Sequence, residues 1–238
     1  EAGDRAHSAK SSAHFVMSAV VVDDAGRALV GPFLAQLRAA VGRQPGQELP
    51  WRNIKKHPQK VHIAKEVGGA GFLTISTVVV CKRHLPSANL ILHQDTAYLF
   101  TLRFLLERLS WLARDSGEHL HYTLAHIRRF KKGTLRGYES MLRARDDCKV
   151  EWGVGPHGGQ ISTPKVTEEL QLADIAASAT FRAFEPDQYG NTEVRYLTEL
   201  APRLYRRGAG ANALTSYGLK MHPWSAAAQA AYPWISSL

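Results

Sequence analysis

The chain has 238 residues, 45% of them hydrophobic, and a formal net charge of +9. That length is enough to bury a sizeable core, and no run of about 18 apolar residues is present to cross a membrane. Two cysteines, Cys81 and Cys148, exclude a disulfide framework and a four-cysteine zinc site, and they fit a reducing, cytoplasmic setting.

The chain opens on Glu1 without an initiator Met or a signal-peptide pattern, as expected of a processed product or a piece of a longer chain. HFVMSAVVVDD (14–24) is rich in β-branched residues and ends on a turn, which predicts a buried strand. ALVGPFLAQLRAAVG (28–42) predicts a helix stopped by Gly42. Prolines punctuate 43–58 as a loop, and a short helix is expected over 59–67. GFLTISTVVVCKR (71–83) predicts a second strand, with Cys81 as a buried thiol. Leu99, Leu102, Leu105, Leu106, Leu109 and Leu112 make one stripe on a long helix over 95–115. A strand follows at 119–127, a helix at 133–145, a short strand at 149–154 and a glycine-rich loop at 155–164. The last strong helix spans 165–184 and ends at Glu185–Pro186, with a further helix around 191–206. Strands alternating with helices predict an α/β fold: a mixed sheet flanked by helices.

Charge is uneven along this order. Residues 127–149 carry eight Lys/Arg against three acids, and residues 50–65 carry five Lys/Arg and no acid. Such runs suit solvated helix faces or phosphate contacts, and Trp51, Phe130 and Tyr138 interleave with them. Lys55, Lys56, Arg128, Arg129, Lys131 and Lys132 are the candidate nucleic-acid-binding residues.

The candidate acids are few. In EELQLADIAAS (168–178), Leu170, Asp174, Ala177 and Phe181 share one helix face, so Asp174 stands on a face expected to be buried. A carboxylate there needs a salt bridge, a proton or a metal. Glu1 and Asp4 in EAGD, and Glu48 in QELPWRNIKKH, are the other candidates. Glu107 sits beside Arg108 as in an ordinary helix ion pair, Glu118 is a rival, and His157 fits a turn. HExxH, CxxC, GxSxG, Walker and dinucleotide-loop motifs are absent, which removes the commonest hydrolase and nucleotide readings.

Four stretches together resemble a known family. EAGD resembles the second half of an Asp-Glu-Ser/Ala-Gly motif at a first strand end. LQLAD (170–174) resembles the opening of the last helix, and YGLKMHP (217–223) a C-terminal signature. The family is the one catalogued as domain of unknown function 3800, a branch of the ribonuclease-H-like superfamily; ELPWRNIKKHP (48–58) resembles its central motif. The resemblance implies a ribonuclease-H-like core over 1–186, with a helical insertion over about 28–67 and a C-terminal extension over 187–238 packed on the same domain. It implies a two-metal nuclease, with Glu1, Glu48 and Asp174 catalytic, and Glu1 and Asp174 holding Mg²⁺ or Mn²⁺. The family pattern places an Asp immediately ahead of the position of Glu1. Superfamily nucleases also carry an acid where AHIRRFKK (125–132) is basic. That replacement motivates the alternative expectation, a catalytically weak nucleic-acid-binding or scaffolding subunit of a mobile-element or defence complex. The aromatic tail HPWSAAAQAAYPWISSL (222–238) is expected to dock a protein partner or a second copy.

Overall fold

A computed structural model describes residues 1–3, 11–85, 94–127, 131–155, 157–208 and 214–238. The fold is α/β, a mixed sheet flanked by helices. Two long strands carry it: β1 (His14–Val22) and β2 (Leu73–Cys81) pair antiparallel over nine residues each, with His14 opposite Cys81 and Val22 opposite Leu73. Side chains alternate across a strand, so β1 and β2 feed two cores at once. Val16, Ile75, Val79 and Cys81 face one core, and Phe15, Met17, Val78 and Val80 face the other. Continuous β-branched runs are the sequence signature of such a doubly covered pair.

The first core is built largely from helices on one side of the sheet. α1 (Asp24–Ala40) contributes Val30, Leu34 and Leu37, and α2 (His57–Gly69) contributes Ile63, Ala64 and Val67. α1 starts at Asp24, earlier than the hydrophobic pattern predicts, because the Asp23 carboxylate accepts the Gly26 N–H at 2.6 Å and caps it. The second core is closed by α3 (Gln94–Ser116), whose Leu102, Leu105, Leu106 and Leu109 are buried against β1 and β2. The expected ion pair is present there: Glu107 meets Arg103 at 3.2 Å and Arg108 at 2.9 Å.

Beyond α3 lies a second, two-stranded sheet of β3 (Thr123–Ala125) and β4 (Gln160–Ser162), paired in parallel. α4 (Lys132–Arg143) packs beside it. Two expectations are corrected here. Residues 149–154 form no strand; Trp152–Val154 is a 3₁₀ turn. That stretch spends its polar groups on α3: Lys149 C=O accepts from the Trp111 indole at 2.8 Å, and Glu151 N–H donates to Ser110 at 3.0 Å. The glycine-rich stretch contains β4 instead of being all loop. A Cβ on Gly159 would lie 2.4 Å from the Tyr122 ring, so the glycine marks a close approach. The buried Glu139 carboxylate ties this region together, accepting from Tyr122 Oη, from Gly159 N–H at 2.7 Å and from Arg136 at 2.7 Å.

α5 (Glu169–Phe184) lies across β1. Ala176, Ala177, Ala179 and Ala183 are its buried small residues, and they let the helix axis approach the strand closely. α6 (Arg195–Leu200) and a 3₁₀ turn at Ala201–Arg203 pack on α2. The C-terminal segment does more than pack on the core. β5 (Leu219–His222) pairs in parallel with β2, giving the order β1-β2-β5, and buries Leu219 and Met221. Its four residues are too short for alternation to announce them in sequence. α7 (Ala226–Ala231) follows. The aromatic tail then turns inward, with Trp224, Tyr232 and Trp234 packed against the first core of its own chain. Among the described residues no helix is long and apolar enough to cross a membrane.

One polar chain ties the tail to the first strand. His14 Nδ1 meets Glu185 Oε2 at 2.7 Å, and His14 Nε2 meets Tyr232 Oη at 2.7 Å. Glu185 also accepts the N–H groups of Ala13 and His14, at 2.9 and 3.0 Å. Tyr232 Oη lies 3.6 Å from Cys81 Sγ, and the thiol is fully buried as expected. Burial would lower the His14 pKa, but the neighbouring Cys81 and Glu185 outweigh it and raise the value above the usual 6.5. Burial would raise Glu185, but the bonds from His14 and Ala13 outweigh it and hold it below 4.5.

Two outcomes test this packing. Replacing Ala177→Leu puts three extra carbons between α5 and β1; it should cost roughly 1–3 kcal/mol. The melting temperature then falls by about 2–4 °C per kcal/mol. The second concerns pH. The raised His14 pKa gives a contribution complete below 6.5 and lost as pH climbs through the folded value. The lowered Glu185 pKa gives one complete above 4.5 and lost as pH falls through its folded value. Melting temperature against pH should therefore carry a component that peaks between these two values, and Glu185→Gln should flatten it.

Candidate functional site

The three acids singled out from the sequence come from residues 1, 48 and 174, and all three line one cleft of 1420 Å³. Each arrives by a different route. Ala2 exchanges two backbone hydrogen bonds with Val16, both 2.9 Å, which lays Glu1 along β1. Asp174 is on α5, half-buried, on the face shared with Leu170, Ala177 and Phe181. Glu48 is exposed at the start of a short strap that crosses α5.

The strap is held by two side chains one helical turn apart. Gln171 Oε1 accepts the Leu49 N–H at 2.9 Å, and Asp174 Oδ2 accepts the Trp51 N–H at 3.0 Å. An extended segment turns every second N–H to the same side, so residues 49 and 51 match acceptors at i and i+3 on a helix. Leu49 is fully buried, and Trp51 is buried edge-on against Tyr196 at 5.1 Å. Gln171 does further duty: it takes Arg38 Nη2 at 3.3 Å and donates to Pro164 C=O at 3.1 Å. Arg38 is itself paired with Glu168 at 2.8 Å.

Asp174 therefore finds a backbone N–H where sequence reasoning offered a salt bridge, a proton or a metal. Its second oxygen, Oδ1, has no hydrogen-bond partner among the described residues. Carboxylate oxygens are the donors that Mg²⁺ or Mn²⁺ prefers, so Glu1, Glu48 and Asp174 fit such an ion in kind. Their separation is another matter: among the described residues, no group of three or more His, Cys, Asp or Glu side chains closes to metal-holding distance.

The basic candidates divide. Arg52 lines the cleft beside the strap, and Lys55 and Lys56 are exposed just beyond it, with Lys55 Nζ bonded to Arg52 C=O at 3.0 Å. Lys60 lies 5.3 Å over the Trp51 ring; burial, then the charges of Arg182 and Lys55, lower its pKa. Lys131 and Lys132 are exposed at the start of α4, away from the cleft lining, and Lys132 bonds Gln160 at 3.0 Å. Asp4, Arg128 and Arg129 lie outside the described residues. Glu118 lines the cleft, as do Asp23, Arg27 and His121, which the sequence did not single out. Gln171 was also missed. Its signal was present: an amide three residues before Asp174 on an otherwise apolar helix face.

Comparison with family models, with curated proteins and with solved structures gives no match for this chain.

Gln171 is the testable keystone of the strap. Gln171→Leu should leave the Leu49 N–H and the Pro164 C=O unpaired and cost about 1–3 kcal/mol. Hydrogen exchange at Leu49 and Trp51 should quicken more than at β1; equal change everywhere would place the effect in global stability alone.

Proposed function

We propose that this chain is a metal-dependent nuclease of the ribonuclease-H-like type, related to the domain of unknown function 3800 family, that hydrolyses phosphodiester bonds of nucleic acid. The observation that supports the reading is that Glu1, Glu48 and Asp174, from three distant parts of the chain, line one cleft. Glu1 and Asp174 would hold Mg²⁺ or Mn²⁺, with Glu48 as the third acid. A divalent ion bound there would supply an activated water and charge for the leaving oxygen. The protein's own part is positioning. The strap places Glu48 and Arg52 on the same rim, so a phosphate drawn to Arg52, Lys55 and Lys56 is brought beside the acids. The Trp51 N–H on Asp174 Oδ2 fixes the orientation of that carboxylate and leaves Oδ1 for the cleft.

The test measures cleavage and metal binding separately. Labelled single- and double-stranded DNA and RNA are incubated with Mg²⁺ or Mn²⁺, and with chelator. Cleavage should need the metal and should fall by roughly 100-fold or more in Asp174→Asn, the scale on which a misplaced reacting group costs rate. Titration calorimetry should show metal binding weakened in the same variant. Lys55→Ala and Lys56→Ala should each lower the salt slope of nucleic-acid binding by about one. Tight binding without cleavage in either metal, and indifferent to chelator, would sink the nuclease reading and leave a binding or scaffolding subunit.

A further inference from the structure

β5 turns two polar side chains toward α3. Leu219 and Met221 enter the first core. Lys220 and His222 stand opposite Val78 and Val80 of β2, which face the second core, so alternation puts both on the α3 side of the sheet. α3 meets them with Phe100, Phe104 and Arg108, spaced i, i+4 and i+8 on one helix face. The His222 ring lies 4.9 Å from Phe100 and 5.1 Å from Phe104, and those two phenyl rings meet edge to face at 4.9 Å. The Lys220 amine stands 5.8 Å over Phe104, and the Arg108 guanidinium stands 5.6 Å over the same ring. Arg108 is buried, and it also lies 4.9 Å over Trp111, with Tyr217 next to that indole. Phe100, Phe104, Lys220 and His222 are half-buried, so the group forms a niche at the margin of the second core.

The charges of this niche do not balance. The acid that reaches it is Glu107, and both of its oxygens are taken. Oε1 accepts from Arg103 at 3.2 Å and from Lys149 N–H at 3.3 Å, and Oε2 accepts from Arg108 at 2.9 Å. Lys220 and His222 make no hydrogen bond or ion pair with any described residue. Burial, and then the Arg108 charge, lower the Lys220 pKa below its usual 10.5, and Glu107 only partly opposes them. Burial, and then the Lys220 charge, press His222 down to about 4, so its ring is neutral at pH 7.

We propose that Lys220 is the nucleophilic amine of a second ligand site, where it condenses with an aldehyde or ketone that carries an acidic group. A lysine packed on an aromatic ring, beside another cation and with no carboxylate to hold its proton, is an amine freed for attack. The lone pair of the neutral amine attacks the carbonyl carbon, and an amine proton passes to the carbonyl oxygen. Loss of water from that carbinolamine leaves a carbon–nitrogen double bond to Nζ. His222, two residues along the same strand face and neutral, has unpartnered ring nitrogens to carry the proton between nitrogen and oxygen. The acidic group of the ligand answers the surplus charge of Lys220 and Arg108, whose Nη2 makes no hydrogen bond among the described residues. None of Phe100, Phe104, Arg108, Lys220 and His222 lines the cleft of Glu1, Glu48 and Asp174, so this site stands or falls apart from the nuclease reading.

Pyridoxal 5′-phosphate, an aldehyde with an acidic group, is the probe, and borohydride fixes any imine it forms. The 238-residue chain is labelled briefly over a range of pH, and its peptides are mapped by mass spectrometry. At pH 7 Lys220 should take up label faster than the exposed Lys56, Lys65 and Lys165. Its labelling should reach half of its maximum at a lower pH than theirs, and the lead should close above about pH 10.4, where ordinary lysines also lose their protons. Pyridoxal, which lacks the phosphate, should label Lys220 more slowly, by a larger factor than it does the exposed lysines. His222→Gln should slow imine formation at Lys220 without moving its half-labelling pH, a separation that a merely structural role would not produce. Labelling of Lys220 no faster than that of the exposed lysines at pH 7, or a half-labelling pH equal to theirs, overturns the proposal. An equal effect of the missing phosphate on Lys220 and on the exposed lysines overturns the assignment of an acidic ligand.

Discussion

Nine residues of β1 lie against nine of β2, and the rest of the molecule is arranged by that pairing. Because alternate side chains leave on opposite faces, one ladder anchors two separate cores. α1, α2, α5 and α6 assemble on one face, and α3 covers the other. A slip of one residue would exchange Val16 for Phe15 and Val79 for Val80, sending large groups into the alanine-lined contact with α5. The small residues of α5 and the bulky stripe of α3 are therefore not interchangeable. Each is fitted to the set of side chains that β1 turns toward it.

The same alternation decided what was legible beforehand. β1, β2, α3 and α5 carry long, periodic apolar patterns, and the sequence reading placed them within a few residues. β4 was hidden because its approach to Tyr122 requires a glycine, and glycines read as loop. β5 was hidden because its four residues are recruited by β2 from far along the chain. The stretch 149–154 looked like a strand from its composition, yet its backbone is claimed by Trp111 and Ser110 of α3. In each case a long-range partner overrode the local signal.

The site shows a comparable division. Asp174 was legible because a carboxylate on an apolar helix face demands an explanation. Glu1 and Glu48 were legible only through resemblance, since nothing in their immediate neighbours distinguishes them from surface acids. The strap that joins Glu48 to Asp174 was not legible at all. It depends on Gln171 and Asp174 presenting acceptors one turn apart to N–H groups two residues apart, a match between two periodicities that exists only after folding. The buried amide of Gln171 also costs the fold something, because each of its partners must be present for burial to be tolerated.

The link from His14 through Tyr232 spans 218 positions. During synthesis the N-terminal part of a chain is made first and begins to organise first. Here the ring of the first residue of β1 waits for a phenol made 218 residues later, and β2 waits almost as long for β5. A growing chain can form the β1–β2 hairpin with its helical insert, yet it cannot close the first core. Until β5 is made, β2 keeps one edge unpaired. For such a chain the hazard lies less in the finished fold than in the time spent approaching it.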